Sequence, residues 1–548
     1  MMNRSSQAKG RLARRALFAC LLLATLNAAA QTSAIPAATP SQEKPKQSTA
    51  DHSKFRQLQK PFKTGEDVTE ACLSCHTEAA KQVMATKHWT WDFKQVHTGQ
   101  RLGKKNVLNP FCIGTRSNEA FCTTCHVGYG WKDDTFDFKS ERNVDCLVCH
   151  DTTGTYKKID GLAGHPAYHR MEFPAQSGKF IDPVDLVSVA SHVGKTRREN
   201  CGACHYKGGG GDGVKHGDLD SSLNQPDKEL DVHMDKNGLN FTCATCHQSD
   251  GHKIAGSRYA PTAADPHAAI MRGKHGDRNP ATCQACHGDK PHKQSFAKLN
   301  DHTRSVACQT CHIPQFARGG VPTKMSWNYA TAGRLDAAGK PIKTLDAHGH
   351  VIYDSRKGDF VLGENVVPEY RWFDGTVTYT LQSDRIDPSR TVSINTFHGK
   401  PGAPDARIWP VKIFHGNQPY DKVHRTLLLP HTAIPDDTAY WYNFDWDKAL
   451  RAGAAASGKP YSGQWGFAQT QMTWPITHMV APREKALNCV ECHSRQGRLQ
   501  NITGIYIPGR DHSQWLDMAG YSFAGLAFLG VLGHGALRLV TRKKRKEH

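Results

Sequence analysis

The residues most able to do chemistry in this sequence are its cysteines, because 16 of the 18 fall into eight Cys-x-x-Cys-His motifs. In such a motif two thiols can add to the vinyl groups of a haem, and the histidine that follows can bind the iron. Zinc sites and disulfides also use paired cysteines, but neither requires that histidine eight times over. The spacing predicts eight covalently attached haem c groups, at motifs that begin with Cys72, Cys122, Cys146, Cys201, Cys243, Cys283, Cys308 and Cys489.

Each motif also supplies a second thioether and one axial ligand. The second cysteines are Cys75, Cys125, Cys149, Cys204, Cys246, Cys286, Cys311 and Cys492. The axial histidines are His76, His126, His150, His205, His247, His287, His312 and His493.

A haem that only transfers electrons needs a second axial ligand on its other face. Five histidines stand shortly before a motif, and five more lie among aromatic or Gly/Pro-rich segments that could pack on a porphyrin. These ten are the candidate distal ligands: His192, His233, His275, His302 and His478, then His88, His169, His292, His415 and His424.

Cys112 belongs to no motif and lies ten residues before Cys122. Two histidines per iron leave no place for a substrate, whereas a deprotonated lysine amine is a weaker ligand that can leave. We therefore expect seven haems to carry electrons and the one beside Cys112 to do chemistry. The alternative interpretation of Cys112 is a buried, inert thiol.

The charge of the chain does not indicate a nucleic-acid partner. The formal net charge is +19, and removing the five basic residues of residues 1–30 leaves it near +14. Two propionates on each haem would add about sixteen negative charges, so the holoprotein would be near neutral. The low mean hydropathy of −0.58 has a related cause, since macrocycles supply apolar surface; we expect the haem-free chain not to fold.

The pattern along the chain predicts a mainly α, long-loop multihaem cytochrome c fold organised around stacked haems, with a β-containing insertion between the seventh and eighth motifs. The short separations from Cys122 to Cys146 and from Cys283 to Cys308 favour close haem pairs. Thr470–Leu487 is predicted to be helical. The predicted segments are a signal peptide (1–30), a flexible leader (31–65), a heptahaem region (66–315), the β-containing insertion (316–438), a helical region with the eighth haem (439–510), a transmembrane helix (518–540) and a basic tail (541–548).

The signal peptide predicts export across the bacterial cytoplasmic membrane, where haem is attached to c-type cytochromes. The apolar run Tyr521–Val540 is about long enough to span a bilayer and is followed by basic residues. Because such residues stay cytoplasmic, the body of the protein would lie in the periplasm, anchored to the membrane. A surface helix or a disordered tail is the alternative.

Several stretches, namely NPFCIG (109–114), NCGACHYKGGGGDGVKHGDLD (200–220), LNDHTRSVACQTCHIP (299–314) and IFHGNQPYD (413–421), together with the long gap before the last motif, resemble the octahaem tetrathionate reductase family. These proteins are relatives of hydroxylamine oxidoreductase and pentahaem nitrite reductase. The resemblance implies that a lysine ligates the second haem, with a cysteine and an aspartate nearby.

Mapped onto this chain, that cysteine is Cys112, with Asn109 beside it. For the lysine we favour Lys215, with Asp212 three residues earlier, and Lys195 is the alternative. Whether the lysine replaces His126 or binds opposite it stays open.

The expected function is that of a multihaem oxidoreductase that reduces oxidised sulfur compounds such as tetrathionate in anaerobic respiration, with electrons from a membrane or periplasmic donor. The first alternative is reduction of nitrite or hydroxylamine at the same haem. The second is an electron-transfer cytochrome without catalysis. No nucleic-acid partner is expected.

Overall fold

The structure, a computed structural model, describes residues 50–96, 98–111, 113–173, 177–208, 210–256, 281–288 and 290–544. Its contacts group residues 1–51 as one unit and His52–His548 as a second. The predicted signal peptide, most of the predicted leader, Cys112 and His275 lie outside the described residues.

The helices are short, and every haem motif has at least one of its cysteines or its histidine in one. One helical turn brings cysteines three positions apart to the same side of the chain, so both thiols can reach one macrocycle. The described α-helices, α1 to α15 in chain order, are Gly65–Leu73, Ala79–Met84, Lys87–Thr90, Glu119–Cys122, Leu147–His150, Leu186–Ser191, Arg198–His205, Cys243–Cys246, Gln284–His287, Ala297–His302, Cys308–His312, Tyr440–Asn443, Trp446–Ser457, Cys489–Cys492 and Gln514–Lys544.

Strands occur both as small hairpins and as one large sheet. The described strands, β1 to β17 in chain order, are Phe93–Lys94, Arg101–Leu102, Met171–Glu172, Phe180–Ile181, Ser249–Asp250, Lys253–Ile254, Thr323–Asn328, Lys343–Leu345, Val351–Asp354, Gly358–Gly363, Glu369–Phe373, Val377–Tyr379, Val392–Ser393, Asn395–Phe397, Arg407–Asp421, Thr426–Leu427 and Trp465–Pro475.

The large sheet has nine strands and is mixed. Its main order is β13-β17-β15-β7-β10-β9-β8, and β11 and β16 also pair with β15. The strands β15 and β17 run antiparallel in unbroken register from Val411 opposite Pro475 to Asp421 opposite Trp465. Strand β7 pairs with β15 in parallel. The largest hydrophobic cluster packs on this sheet and includes Trp327, Phe373, Phe414, Met472 and Trp474.

Two fold predictions need correction. Thr470–Leu487 does not begin a helix, because Trp465–Pro475 is the strand β17, in which buried and more exposed side chains alternate; that period of two is the strand signal. The sheet therefore extends past the predicted insertion (316–438) into the predicted helical region, and "mainly α" understates the strand content. The tertiary pairing with β15 decided this segment.

The predicted leader also ends too late in the sequence. The 3-10 turns His52–Lys54 and Arg56–Leu58 lie before its predicted end at residue 65, and Leu58 is buried in a cluster with Val68 and Leu147. Ordered chain thus begins before the first motif. At the other end, Gln514–Lys544 is one helix of which Gln514–Arg542 is long and apolar enough to cross a membrane.

Candidate functional site: haem ligands and the second haem

Seven of the eight motif histidines face a second histidine ring. Two imidazole nitrogens bound at about 2 Å on opposite sides of one metal ion lie about 4 Å apart, which places the ring centroids roughly 6 Å apart. The centroid distances are 6.3 Å for His52–His76 and His88–His205, 6.4 Å for His150–His252, 5.9 Å for His233–His287, 6.2 Å for His247–His478 and His292–His312, and 6.0 Å for His302–His493. These residues fit a haem iron between each pair.

Hydrogen bonds orient several of these rings. The Nδ1 atoms of His150, His247 and His493 lie 2.9 Å from the carbonyl oxygens of Gly194, Ala255 and Pro508 respectively. A carbonyl oxygen can only accept, so Nδ1 carries the proton and Nε2 keeps its lone pair for a metal. On the distal side, Nδ1 of His302 donates to the Lys298 carbonyl at 2.8 Å in the same way.

Five of the ten candidate distal ligands lie opposite a motif histidine: His88, His233, His292, His302 and His478. Among the described residues, His169, His192, His415 and His424 have no motif histidine opposite them, and His275 lies outside the described residues. Sequence reasoning missed His52, which was assigned to the leader, and His252, five residues after a motif. The Gly251-His252 turn between β5 and β6 is the signal that could have found the latter.

The second motif is different from the others. His126 is fully buried among aromatic rings, with ring centroids 5.1 Å from Trp89, 5.3 Å from Trp91 and 4.9 Å from Trp131. Its Nε2 donates to the Trp89 carbonyl at 2.7 Å. Burial lowers the pKa of His126 to about 3, so the ring is neutral. The nitrogen that would bind iron is therefore already used inside the protein.

Three lysines approach this motif. Lys158 donates to the His126 carbonyl at 2.6 Å and pairs with Asp145 at 3.1 Å, so its ammonium is held away from any ligand role. Lys104 donates to the Cys122 carbonyl at 3.3 Å. The third is Lys215, whose charge acts on Cys125. A hydrogen bond with Cys204 is the largest cause that lowers the pKa of the Cys125 thiol to about 6, against the effect of burial, and Lys104 and Lys215 lower it further.

The indole of Trp474 brings two distant segments together. Its ring centroid lies 4.9 Å from that of His216 and 6.2 Å from that of Phe111, and Nζ of Lys215 lies 5.1 Å from it. Phe111 belongs to the turn Asn109–Ile113, which is closed by an Asn109 N–H bond to the Ile113 carbonyl at 2.8 Å. The segment that contains Lys215 and the turn that precedes the second motif therefore meet at β17.

The other predicted site residues have structural partners. Asn109 Oδ1 accepts from the Phe111 backbone N–H at 2.9 Å and thereby shapes its own turn. Asp212 accepts the Ser221 backbone N–H at 3.0 Å as well as the Ser221 hydroxyl, so its carboxylate is engaged within its own loop. Lys195 is exposed on the loop after Gly194, beside His150 of the third motif.

A buried lysine of the large sheet, Lys412, hydrogen-bonds to the backbone of the segment that contains Lys215. Lys412 lies directly across the sheet from Trp474 and is fully buried. Its Nζ donates to the carbonyls of Val214 at 3.0 Å and Lys215 at 3.1 Å and to the Thr323 hydroxyl at 2.6 Å. Burial lowers the pKa of Lys412 well below its ordinary value, and Asp218 acts in the opposite direction. Nothing in the sequence distinguishes Lys412 from other strand lysines.

The motif cysteines lie next to one another in a fixed order. Hydrogen bonds join Cys72 to Cys146, Cys125 to Cys204, Cys201 to Cys243 and Cys283 to Cys308. Burial, then Cys492, raises the pKa of Cys311 to about 12, and burial, then Cys286, raises that of Cys246.

With haem attached these sulfurs are thioethers, which neither donate hydrogen bonds nor titrate, so only the closeness of the paired cysteines still applies. Hydrogen-bonded cysteines connect the second motif to the fourth, the fourth to the fifth, the sixth to the seventh and the first to the third. Cys492 of the eighth motif acts on Cys311 of the seventh, and Cys286 of the sixth on Cys246 of the fifth, only through their charge. Cys125 of the second motif thus lies beside Cys204 of the fourth, and Cys283 of the sixth beside Cys308 of the seventh. The close haem pairs expected from short separations in sequence stay predictions.

Comparisons with known proteins agree with this picture. Residues 71–151 match the family model described as cytochrome c554 and c-prime, and residues 324–496 match the one described as bacterial cytochrome c. An uncharacterized protein of Archaeoglobus fulgidus is 23% identical over 244 residues, which is 37% of this chain and 80% of that protein.

A solved structure matches over most of both chains. The crystal structure of octaheme cytochrome c from Shewanella oneidensis is 41% identical, with a TM-score of 0.71, and the match covers 82% of this chain and 95% of that one. At that identity and coverage the family is shown, and it agrees with the resemblance to the octahaem tetrathionate reductases. The chain belongs to the octahaem c-type cytochromes.

Proposed function

We propose that the protein is a periplasmic octahaem reductase that reduces oxidised sulfur compounds such as tetrathionate at its second haem, with Lys215 in the ligand position that His126 leaves. One observation carries the proposal: Nε2 of His126 is bonded to the Trp89 carbonyl, whereas the other seven motif histidines each face a second imidazole. One haem would then differ from the seven that are closed by two histidines.

The choice of Lys215 rests on exclusion as well as position. Lys158 is committed to two carbonyls and to Asp145, and Lys195 lies beside the third motif. Lys215 follows the fourth motif, whose Cys204 hydrogen-bonds to Cys125 of the second. A lysine amine at an iron must be deprotonated, which a site shielded from water favours.

The bound haems would supply electrons one at a time to this site. Among the residues of the chain, we assign the sulfur chemistry to Cys112. Its thiolate would attack one central sulfur of tetrathionate and release thiosulfate, leaving a mixed disulfide with the second half. Two electrons then break that disulfide, release the second thiosulfate and restore the thiolate, so that one tetrathionate and two electrons yield two thiosulfates.

The neighbourhood suits an anionic substrate. Lys104 is a positive group close to the second motif, and a nearby cation raises the thiolate fraction of a cysteine. Asp212 is held by Ser221, so we assign it to positioning the Lys215 loop and not to proton transfer.

The deciding experiment is Cys112→Ser, assayed with a soluble viologen reductant for tetrathionate, nitrite and hydroxylamine. We expect tetrathionate turnover to fall about 100-fold or more, because serine is a far weaker nucleophile toward sulfur. Full tetrathionate turnover in this variant would remove the thiol role. If Cys112→Ser keeps all three activities and turns over nitrite strongly, the nitrogen-oxide alternative is favoured.

Magnetic circular dichroism of the oxidised protein separates the remaining alternative. The proposal requires one haem with a lysine-ligated or high-spin signal beside seven bis-histidine haems. Eight bis-histidine signals would identify a carrier of electrons without a catalytic site.

A further inference from the structure

The eighth haem motif is tied to the start of the apolar C-terminal helix. Nδ1 of His493 donates to the Pro508 carbonyl at 2.9 Å. Gly509 packs so closely that a Cβ there would lie 2.4 Å from the His493 carbonyl oxygen, at a φ of +83° that also favours glycine. No side chain fits between this segment and the motif.

The residues that follow are locked in place as well. Asp511 accepts the Ile507 backbone N–H at 2.8 Å, and Arg510 donates to the Leu499 carbonyl at 2.6 Å. The helix Gln514–Lys544 begins three residues later. Since a residue spans at most about 3.5 Å, the first residue of the helix lies within about 20 Å of Pro508, whatever the direction of the helix.

The helix has the features of a membrane anchor whose N-terminal end is outside. Trp515 and Tyr521 lie near that end of the helix, and aromatic residues are enriched at a bilayer surface. Arg542-Lys543-Lys544-Arg545-Lys546 follow the apolar stretch and favour the cytoplasmic side. The eighth haem would therefore be held near the outer surface of the membrane.

The contacts between motif cysteines connect the eighth haem, near the membrane, to the second motif. From the eighth motif, the charge of Cys492 reaches Cys311 and, further along, that of Cys286 reaches Cys246. Hydrogen bonds join Cys308 to Cys283, Cys243 to Cys201 and Cys204 to Cys125. This series ends at the second motif. Its membrane end presents Val490, which is 71% exposed.

We propose that electrons enter the protein at the eighth haem, from a quinol-oxidising redox protein embedded in the same membrane, which docks on the surface around Val490. This inference rests on the proposed function only for the direction of electron flow. The short connection between His493 and the helix would keep the eighth haem at high effective concentration near a partner confined to the bilayer.

A charge substitution tests the docking surface. Val490→Glu places a carboxylate beside the eighth haem, and Val361→Glu does the same at another exposed valine (57%), on β10 of the large sheet. In membrane vesicles from the producing cells, energised with a quinol-reducing substrate, we expect Val490→Glu to slow haem reduction about tenfold, and Val361→Glu to leave it unchanged. The readout is the haem absorbance, with dithionite as the soluble reductant for comparison.

A second variant tests the tether without touching the surface. Twenty Gly/Ser residues inserted between His512 and Ser513 would keep the protein on the membrane but free the eighth haem from it. We expect several-fold slower quinol-dependent reduction, with the dithionite rate unchanged. Native rates in both variants would overturn the proposal. Because viologen-driven tetrathionate turnover does not use this route, its loss or retention judges the proposed function separately.

A different observation supports a second inference, which rests on Lys215 as ligand. From the three donor bonds of the fully buried Lys412 to Val214, Lys215 and Thr323, we infer that Lys412 is a positioning residue for the second haem. Thr323 completes the arrangement, since its hydroxyl donates to the Gly213 carbonyl at 2.7 Å. Three successive carbonyls, 213 to 215, are thereby held from the sheet.

Lys412→Met keeps the length of the side chain and removes all three bonds. We expect the lysine-ligated signal of the second haem to be lost or split in magnetic circular dichroism, and kcat to fall roughly 100-fold with a smaller change in KM, as for a ligand displaced by about 1 Å. The matched control is Lys324→Met, a neighbouring buried lysine whose Nζ lies 3.4 Å from the ring centroid of Phe360; its haem signals should stay native.

If Lys412→Met does not fold, Thr323→Val decides, because it removes one hydroxyl at nearly constant shape and should shift the same signal. The positioning role is overturned if Lys412→Met keeps the native signal while Lys215→Met loses it. Where Lys412→Met does not fold, a native signal in Thr323→Val has the same meaning. If Lys215→Met also keeps the signal, the failure lies in the ligand assignment of the proposed function.

Discussion

The second and fifth haem motifs show how one covalent motif can be put to two uses. His247 of the fifth motif bonds through Nδ1 to the Ala255 carbonyl at 2.9 Å and faces His478 at a centroid distance of 6.2 Å. His126 of the second motif bonds through Nε2 to the Trp89 carbonyl at 2.7 Å and faces tryptophans instead. The difference is which ring nitrogen the backbone engages, and that follows from packing around the motif.

The comparison teaches that the wall around a motif histidine selects its role. Trp89, Trp91 and Trp131 surround His126, whose Nε2 bonds to the Trp89 carbonyl. Around the other seven motifs, a second histidine ring lies opposite the motif histidine. In the proposed function, these tertiary contacts separate the catalytic second haem from the seven haems that conduct electrons.

The largest effect expected from breaking this comparison comes from Lys215→Met. Loss of the proposed ligand should lower tetrathionate turnover by at least about 100-fold and remove the unusual haem signal, while seven bis-histidine signals remain. Lys195→Met, at the exposed alternative lysine, is the matched control and should behave as wild type. The reverse result would transfer the ligand role to Lys195. Viologen-coupled kinetics and magnetic circular dichroism measure both.

A second prediction makes a closed haem resemble the open one. His302→Gly removes the ring that lies 6.0 Å from His493, so the reduced protein should bind one more carbon monoxide per molecule than wild type. His424→Gly removes a histidine that has no motif histidine opposite it among the described residues, and the carbon monoxide stoichiometry should not change. Equal titration endpoints for both variants would contradict the pairing.

A smaller effect is expected from crowding His126. An added Cβ at Gly128 would lie 2.8 Å from Trp89 Cζ3 and 2.9 Å from the His126 ring. Gly128→Ala should therefore destabilise the protein by about 2 kcal/mol through overpacking, seen as a lower midpoint in guanidinium unfolding. An unchanged midpoint would show that Trp89 and the His126 ring move aside at little cost, which would argue against tight packing that fixes His126.

The smallest effect concerns the segment that contains Lys215. Burial, reinforced by Asp212 and Asp218, raises the pKa of Asp220 to about 6 despite hydrogen bonds from Ser222. The unfolded carboxyl ionises near pH 4. Folding therefore favours the protonated form, and stability falls as the pH rises from about 4 through 6.

Asp220→Asn removes that cost. At pH 7 it should stabilise the protein by about 1 kcal/mol, less than the pKa shift alone implies because the amide accepts weaker hydrogen bonds. At pH 4 the variant and the wild type should unfold at the same guanidinium concentration. A stabilisation that does not depend on pH would contradict the assigned pKa.

The local patterns of the sequence predicted much of what surrounds each haem. The eight attachment motifs need only five adjacent residues each, and His302, six residues before the seventh motif, could be proposed from spacing, although it lies opposite the eighth-motif His493. His52 was missed because residues 31–65 were assigned to a flexible leader, and His252 because it follows its nearest motif. Strand β17 was mistaken for a helix because its partner β15 lies more than forty residues earlier.

The sequence by itself determined where haem is attached, since covalent attachment depends on thiols at a local spacing, and it determined an apolar C-terminal helix, since length and composition suffice for that. Only the tertiary structure decided that His126 turns to a carbonyl, that the second motif lies beside the fourth, and that Lys412 holds the Lys215 backbone. These depend on residues that lie between 37 and 197 positions apart in the chain and meet in the folded protein, which no local pattern records.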